Sequence, residues 1–313
     1  MLPFLLLAAC AATPEPEPNA GWGGIVEDQV EPMPPLAGKL AVPTPSVVPY
    51  PVRDFTPEEL AFIDRAWAAF RKGDPAWAEL RVQWFDMGPE AAGVLAENLY
   101  RAMVLSRARG ALQVVEISKK ELMALRDAAV PVVIGGLSVR ATKTAEGEEV
   151  RVGQEILHDA AEVASFIGQG AVPGLLDIAG CGEPSLVREA VWALGNIADP
   201  RAEEALLRIS SDPNIYIRAE ALLALRRYPT AAAGDRLVAA LEDPDSFVAE
   251  RAARAIVAGK RTEVLPAVVD LLDRAARAGN ILAAKECVNA LSGLTGEKIG
   301  PDAAAWRRAL KGN

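Results

Sequence analysis

The sequence predicts an all-α fold, an α-solenoid of stacked helix pairs, preceded by a signal segment and a disordered Pro-rich linker. Three observations point there. Segments opening at Ala171, Ala202, Ala233 and Val264 superpose without a gap at a spacing of 31 residues, and a fixed period in the range of roughly 20 to 50 residues marks a repeat architecture. Alanine supplies 58 of the 313 residues; it is the best helix former, and its small side chain lets helices approach closely. Aromatic residues make up only 5% of the chain, which disfavours sheets.

The chain opens with an uncharged apolar run, Met1 to Ala9, that ends at Cys10. It is too short to span a bilayer. The Leu7-Ala8-Ala9-Cys10 ending resembles the lipobox of bacterial lipoprotein signal peptides. That resemblance implies cleavage before Cys10, a diacylated Cys10 thiol, and residence in a bacterial cell envelope on the periplasmic side of a membrane, the outer membrane by preference. Residues 1–9 are then the signal segment and 10–55 an acidic tether. Between Ala11 and Phe55 stand ten prolines, and six acids against two bases give this stretch a net −4. Such a composition favours an extended, partly polyproline II spacer.

Folding is expected to begin at Thr56-Pro57-Glu58-Glu59, where Thr56 caps a helix, Pro57 suits its first turn and Glu59 closes a capping box. Asp74-Pro75 starts a second helix. Trp67, Phe70, Trp77, Trp84 and Phe85 fall in this pair, so 56–87 reads as an aromatic cap over the end of a core.

The repeat array is expected over 88–300. Leu175, Leu206, Leu237 and Val268 fall in register, as do Ala190, Ala221 and Ala252, then Ala193, Ala224 and Ala255. Within one unit, Leu186, Ala190, Ala193, Leu194 and Ile197 follow the i, i+4, i+7, i+8, i+11 stripe of an amphipathic helix. Asp212-Pro213 and Asp243-Pro244 mark turns inside units, and Asp199-Pro200 a turn between units. Upstream the signature recurs with longer inserts, including a polar loop around 138–151. About six units are expected, and Gly135 and Gly136 weaken one helix by about 1 kcal/mol each relative to alanine.

The Ala-Val-Pro-x-Leu-Leu opening of the first helix, the Asp-Pro turn, and the x-Arg-x-x-Ala-x-x-Ala-Leu second helix seen from Ile217 to Leu225 resemble HEAT repeats. In that family an Asp of the turn and an Arg six residues later bond across repeats. Only Asp212 and Arg218 match; the equivalent positions hold Cys181 with Val187 and Asp243 with Ala249. The polar ladder is therefore expected to be mostly broken, with apolar packing holding the stack. Leu294-Thr295-Gly296 and Trp306-Arg307-Arg308 resemble a terminal segment of bacterial HEAT-repeat proteins, so 301–313 reads as a C-terminal cap.

Little points to chemistry. The one histidine, His158, cannot build a multi-histidine metal site, and no phosphate-cradling loop, metal-ligand spacing or nucleophile elbow appears. No catalytic, cofactor or metal residue is assigned, and no enzymatic activity is expected. His158, with Glu155, Asp159 and Glu162 nearby, reads as part of a solvated helix face. Cys287 falls on a core position and Cys181 in a turn. The net charge of −9 and an isoelectric point near 4.9 argue against nucleic acid. Because −4 of that charge lies in the tether, the envelope location is the better argument.

A protein-binding surface is expected instead, on the face lined by the stacked second helices. Trp192 and Leu223 are candidate apolar anchors of a partner groove rimmed by Arg227, Arg251 and Arg254. The chain thus reads as a membrane-tethered scaffold or adaptor for an unidentified protein partner, anchored through lipid on Cys10, without cofactor or metal. Two alternatives remain open: an enzyme or ligand binder similar to the HEAT-like bilin lyases, and a structural envelope component.

Overall fold

In the computed structural model, residues 53–137, 141–143, 149–151 and 153–311 are described. The signal segment, Cys10 and all but the last residues of the tether lie outside them. Fifteen α-helices appear among the described residues: α1 (Pro57–Lys72), α2 (Trp77–Asp86), α3 (Pro89–Ala108), α4 (Leu112–Leu125), α5 (Val130–Leu137), α6 (Gln154–Ile167), α7 (Val172–Ala179), α8 (Pro184–Ile197), α9 (Glu203–Ile209), α10 (Ile215–Leu225), α11 (Ala231–Ala239), α12 (Ser246–Ala258), α13 (Leu265–Ala278), α14 (Ile281–Thr295) and α15 (Ala303–Lys311). The pairs α3/α4 to α13/α14 are six repeat units. Where a polar loop was expected between α5 and α6, two short strands, β1 (Ala141–Lys143) and β2 (Glu149–Arg151), pair antiparallel with Thr142 opposite Val150. None of the described helices is long and apolar enough to cross a membrane.

The N-terminal cap begins as the capping box requires. Thr56 Oγ1 accepts from the Glu59 amide at 3.2 Å, and Glu59 Oε2 accepts from the Thr56 amide at 2.8 Å. The Arg53 guanidinium forks onto the same carboxylate at 2.8 and 2.9 Å and holds it down at about 2. The second helix starts later than its Asp-Pro signal, at Trp77, because Asp74 Oδ1 first caps a turn by accepting from the Ala76 amide. Phe70 stacks on Trp67 with centroids 4.7 Å apart and meets Trp77 edge-on at 5.0 Å. The buried Trp84 indole donates to the Ala91 carbonyl of α3 at 2.9 Å, which locks this cluster onto the array. Phe85 alone of the five stays exposed. At the other end Trp306 of α15 is wholly buried and donates to the Gly300 carbonyl.

The in-register positions make the core. Ala190, Ala221, Ala252 and Ala290 are fully buried, as are Leu194, Leu225, Ile256 and Leu291. The buried residues Ala129, Ala171, Ala202 and Val264 each end a short 3-10 turn that leads into a first helix. Second helices pack on one another along the array, α6 on α8, α8 on α10, α10 on α12 and α12 on α14, whereas first helices meet their neighbours mainly through those connecting turns. An array packed closer on one side bends toward that side, so the second helices form its inner face.

The expectation that the polar ladder is mostly broken needs correction. Arg218 reaches forward to Asp243 of the next unit with Nε–Oδ2 2.9 Å and Nη2–Oδ1 3.1 Å, while Nη1 takes the Asp212 carbonyl at 2.7 Å. Further rungs stand at the turns between units. Arg261, almost wholly buried, donates to the carbonyls of Tyr228 and Thr230 at 2.6 and 2.7 Å. The Tyr228 hydroxyl donates to the Asp199 carbonyl at 3.2 Å, and Arg201 to that of Gln169 at 2.9 Å. Charge-assisted bonds to buried carbonyls are among the stronger hydrogen bonds, so polar rungs share the stack with apolar packing.

The two glycines of α5 separate into different roles. A Cβ on Gly136 would stand 2.1 Å from the buried Tyr100 ring, whereas one on Gly135 would meet nothing within 4 Å. Gly135→Ala is expected to stabilise the fold by about 0.5–1 kcal/mol through helix propensity and the unfolded chain. Gly136→Ala should destabilise it by about 1–3 kcal/mol through overpacking. Urea melts of the two variants check the opposite signs.

Candidate partner-binding face

The inner face is organised in columns by the repeat. Asp159, Glu189, Glu220, Arg251 and Glu286 occupy equivalent positions on α6, α8, α10, α12 and α14, where the tight stacking of second helices buries Asp159, Glu189 and Glu286 and half-buries Glu220 and Arg251. A buried carboxylate needs donors, and the three buried ones have them. Asp159 accepts from Arg107 at 2.6 and 2.7 Å and faces Lys119 at 3.4 Å. Glu189 accepts from Gln154 at 2.6 Å and Arg188 at 3.1 Å, and pairs with His158 Nδ1 at 2.8 Å. Glu286 pairs with Lys285 at 3.2 Å and accepts from Asn289 at 2.9 Å. Glu220 makes no hydrogen bond to a described residue. Burial pushes its carboxyl above the usual range, and Glu189 adds to that, against the pull of Arg188, Arg251 and Arg226.

His158 is exposed, as a solvated helix face requires, yet it has a carboxylate partner. Its carboxylate partner is Glu189 of the following unit rather than Glu155, Asp159 or Glu162, and its ring lies 4.7 Å from that of Trp192. Arg107, Gln154, Glu155, His158, Asp159, Arg188 and Glu189 line an open cleft of about 420 Å³, a convergent polar pocket that linear order hides. It orients one imidazole against a buried carboxylate, and its lining holds no hydroxyl or thiol for nucleophilic chemistry. No group of three or more potential metal ligands occurs among the described residues. Cys181 and Cys287 are free thiols; Cys287 is buried in the core, and burial pushes its thiol up to about 12, which removes the reactive thiolate.

The candidate anchors share the inner face but differ in freedom. Trp192 and Leu223 stand at equivalent positions on α8 and α10, each partly buried against the core, and Trp192 is held by His158. Arg254 takes the same position on α12, exposed and 3.7 Å from Glu250. Arg251 lies over the Phe247 ring at 4.8 Å, and Phe247 meets the exposed Tyr216 edge-on at 5.8 Å. Arg227, one turn beyond Leu223, is exposed and without a hydrogen bond or ion pair to a described residue. Tyr216 and Phe247 were missed by sequence reasoning, although the 31-residue register marks them as a pair at the start of successive second helices.

Residues 172–257, spanning α7 to α12 almost entirely, match the family model of HEAT repeats. These residues are HEAT repeats. A comparison with curated proteins finds no match. Among solved structures, an engineered protein determined as a structural genomics target is 19% identical, covers 68% of this chain and 93% of its own, and has a TM-score of 0.37. Human deoxyhypusine hydroxylase in complex with glycerol is 17% identical, covers 72% of this chain and 92% of its own, and has a TM-score of 0.31. At these identities and TM-scores neither likeness bears on function. HEAT repeats such as those at 172–257 generally mediate protein–protein contacts.

The raised Glu220 carboxyl has a sign that can be tested. A folded-state value above the unfolded one means that the folded chain binds more protons, so this group subtracts stability as pH rises past the usual carboxylate range. Glu220→Gln is therefore expected to melt higher than the parent at pH 7 and to lose that advantage at pH 4 and below. Melting curves across pH check this.

Proposed function

We propose that this chain is a non-catalytic scaffold or adaptor that binds another protein along the inner face of its HEAT-repeat array, held to a bacterial envelope membrane by lipid on Cys10. The observation that carries the reading is the continuous inner face of α6 to α14, on which aromatic, leucine and arginine side chains remain accessible over a rigid stack. Stacked repeats present such surfaces over many residues without a pocket, and aromatic and arginine side chains dominate interface energetics. The lipobox-like ending at Cys10 supports a location at the periplasmic side of a membrane, the outer membrane by preference. Lipid chains and a proline-rich tether would hold the array near the membrane and raise the effective concentration of a partner there.

Crosslinking in membranes followed by mass spectrometry tests the scaffold. A reproducible partner is expected, and its yield should fall about tenfold or more in Trp192→Ala combined with Leu223→Ala, with melting curves confirming that the array remains folded. Unchanged crosslinks in a folded double variant argue against the groove, and the absence of any reproducible partner favours a structural role. Cys10→Ser is expected to leave the membrane fraction; a variant that stays there overturns the anchor.

A further inference from the structure

The arginines of the array divide into two populations. Those at the turns are spent: Arg218 makes four hydrogen bonds to Asp243, Asp212 and Pro213, and Arg261 is buried against two carbonyls and Glu263. Those on the inner face are not. A guanidinium carries five N–H donors. Arg227 uses none of them on a described residue, Arg251 makes no hydrogen bond to one and lies over the Phe247 ring, and Arg254 has a 3.7 Å approach to the exposed Glu250. Arg188 and Arg226 act on the same Glu220 carboxyl as Arg251, so guanidinium groups of three successive repeats converge on the middle of the face. The carboxylates among them are outnumbered: Glu189 is spent on His158, Gln154 and Arg188, and Glu220 is shared among Arg188, Arg226 and Arg251. A chain of net charge −9 thus carries a locally cationic strip beside Trp192 and Leu223.

We propose that the partner docks on α8, α10 and α12 through an acidic peptide segment, its carboxylates on Arg227, Arg251 and Arg254 and an intervening apolar side chain on Trp192 and Leu223. The proposal rests on the scaffold reading and adds to it the charge of the partner. Forked guanidinium–carboxylate pairing suits such a segment, and like-charge repulsion along the strip excludes basic ones.

Selection of a random peptide library on the full chain, immobilised in detergent, tests this directly. Enriched sequences are expected to carry two or more Asp or Glu residues around an apolar one. A synthetic peptide of the enriched sequence should bind about tenfold more weakly to the Arg227→Glu, Arg254→Glu double variant and lose affinity with added salt. Both positions are exposed, and circular dichroism confirms the fold. Enrichment of basic or uncharged peptides, no enrichment at all, or equal binding to the double variant overturns the proposal. So does a labelled single-stranded oligonucleotide that binds as tightly as the peptide. A partner whose crosslinks vanish in the Trp192 and Leu223 double variant but persist in the arginine variant would leave the scaffold standing and remove only its acidic partner.

Discussion

The spacing between second helices governs this molecule. Packed helices normally sit about 8–10 Å apart, and the lower end of that range requires small side chains at the contact. The array supplies them in columns, Ala190, Ala221 and Ala252 in one and Ala193, Ala224 and Ala255 in another, all buried. At the α8–α10 contact the approach is so close that a Cβ on Gly195 would fall 2.5 Å from that of Ala224. On α14 Gly293 plays the same part against Val257 of α12. First helices have no comparable contact, so the stack is tight on one edge and loose on the other, and its bend follows. The same tightness draws the next column of side chains wholly or half out of solvent, which is where the charges stand.

From that burial the electrostatics of the face can be traced. A carboxylate drawn into the seam between second helices requires donors from the helix before it, and α4 and α6 provide them: Lys119 for Asp159, His158 and Gln154 for Glu189. On α8 the corresponding donor, Arg188, turns back to Glu189 of its own helix, and Glu220 is left without one. Arg251 then continues the column as a cation and finds the Phe247 ring in place of a carboxylate. One misdirected guanidinium thus changes the inner face from a series of closed ion pairs in α4, α6 and α8 to open charges on α10 and α12.

How much of this is legible in the sequence depends on the distance over which each contact repeats. The apolar stripe has the period of the unit itself, so the positions read from it, among them Leu175, Leu206 and Leu237, are buried in the structure. The polar rungs do not declare themselves, because the acceptors of Arg261, Arg201 and Tyr228 are backbone carbonyls about one unit away and a carbonyl has no sequence signature. Reading the ladder as broken followed from requiring both the turn Asp and the Arg six residues later in every unit, whereas Asp243, with Ala249 in place of that Arg, serves Arg218 of the unit before. The pairing of His158 with Glu189 was hidden for a related reason: the insert between α5 and α6 disturbs the spacing of first helices, while α6 and α8 remain about one repeat apart. Gly136 reads as a helix weakener until Tyr100 is placed above it. Trp192 and the inner-face arginines were legible as a row, but not which of them are free.

The position of the open charges within the stack is itself a consequence of nearest-neighbour energetics. In a repeat array each unit interacts only with its neighbours, and stability is close to a sum of unit and interface contributions. An unsatisfied carboxylate in a terminal unit would weaken a repeat held from one side, and that end would fray. Here both ends are sealed, by Trp84 against α3 and by Trp306 of α15 against the last pair, and Glu220 sits in α10 between α8 and α12. Opening its unit breaks two interfaces, each lined by buried alanine and leucine. An interior repeat therefore tolerates a polar defect that a terminal one would not, and the inner-face arginines can keep their donors unpaired only because the apolar seam on both sides already holds their helices in place.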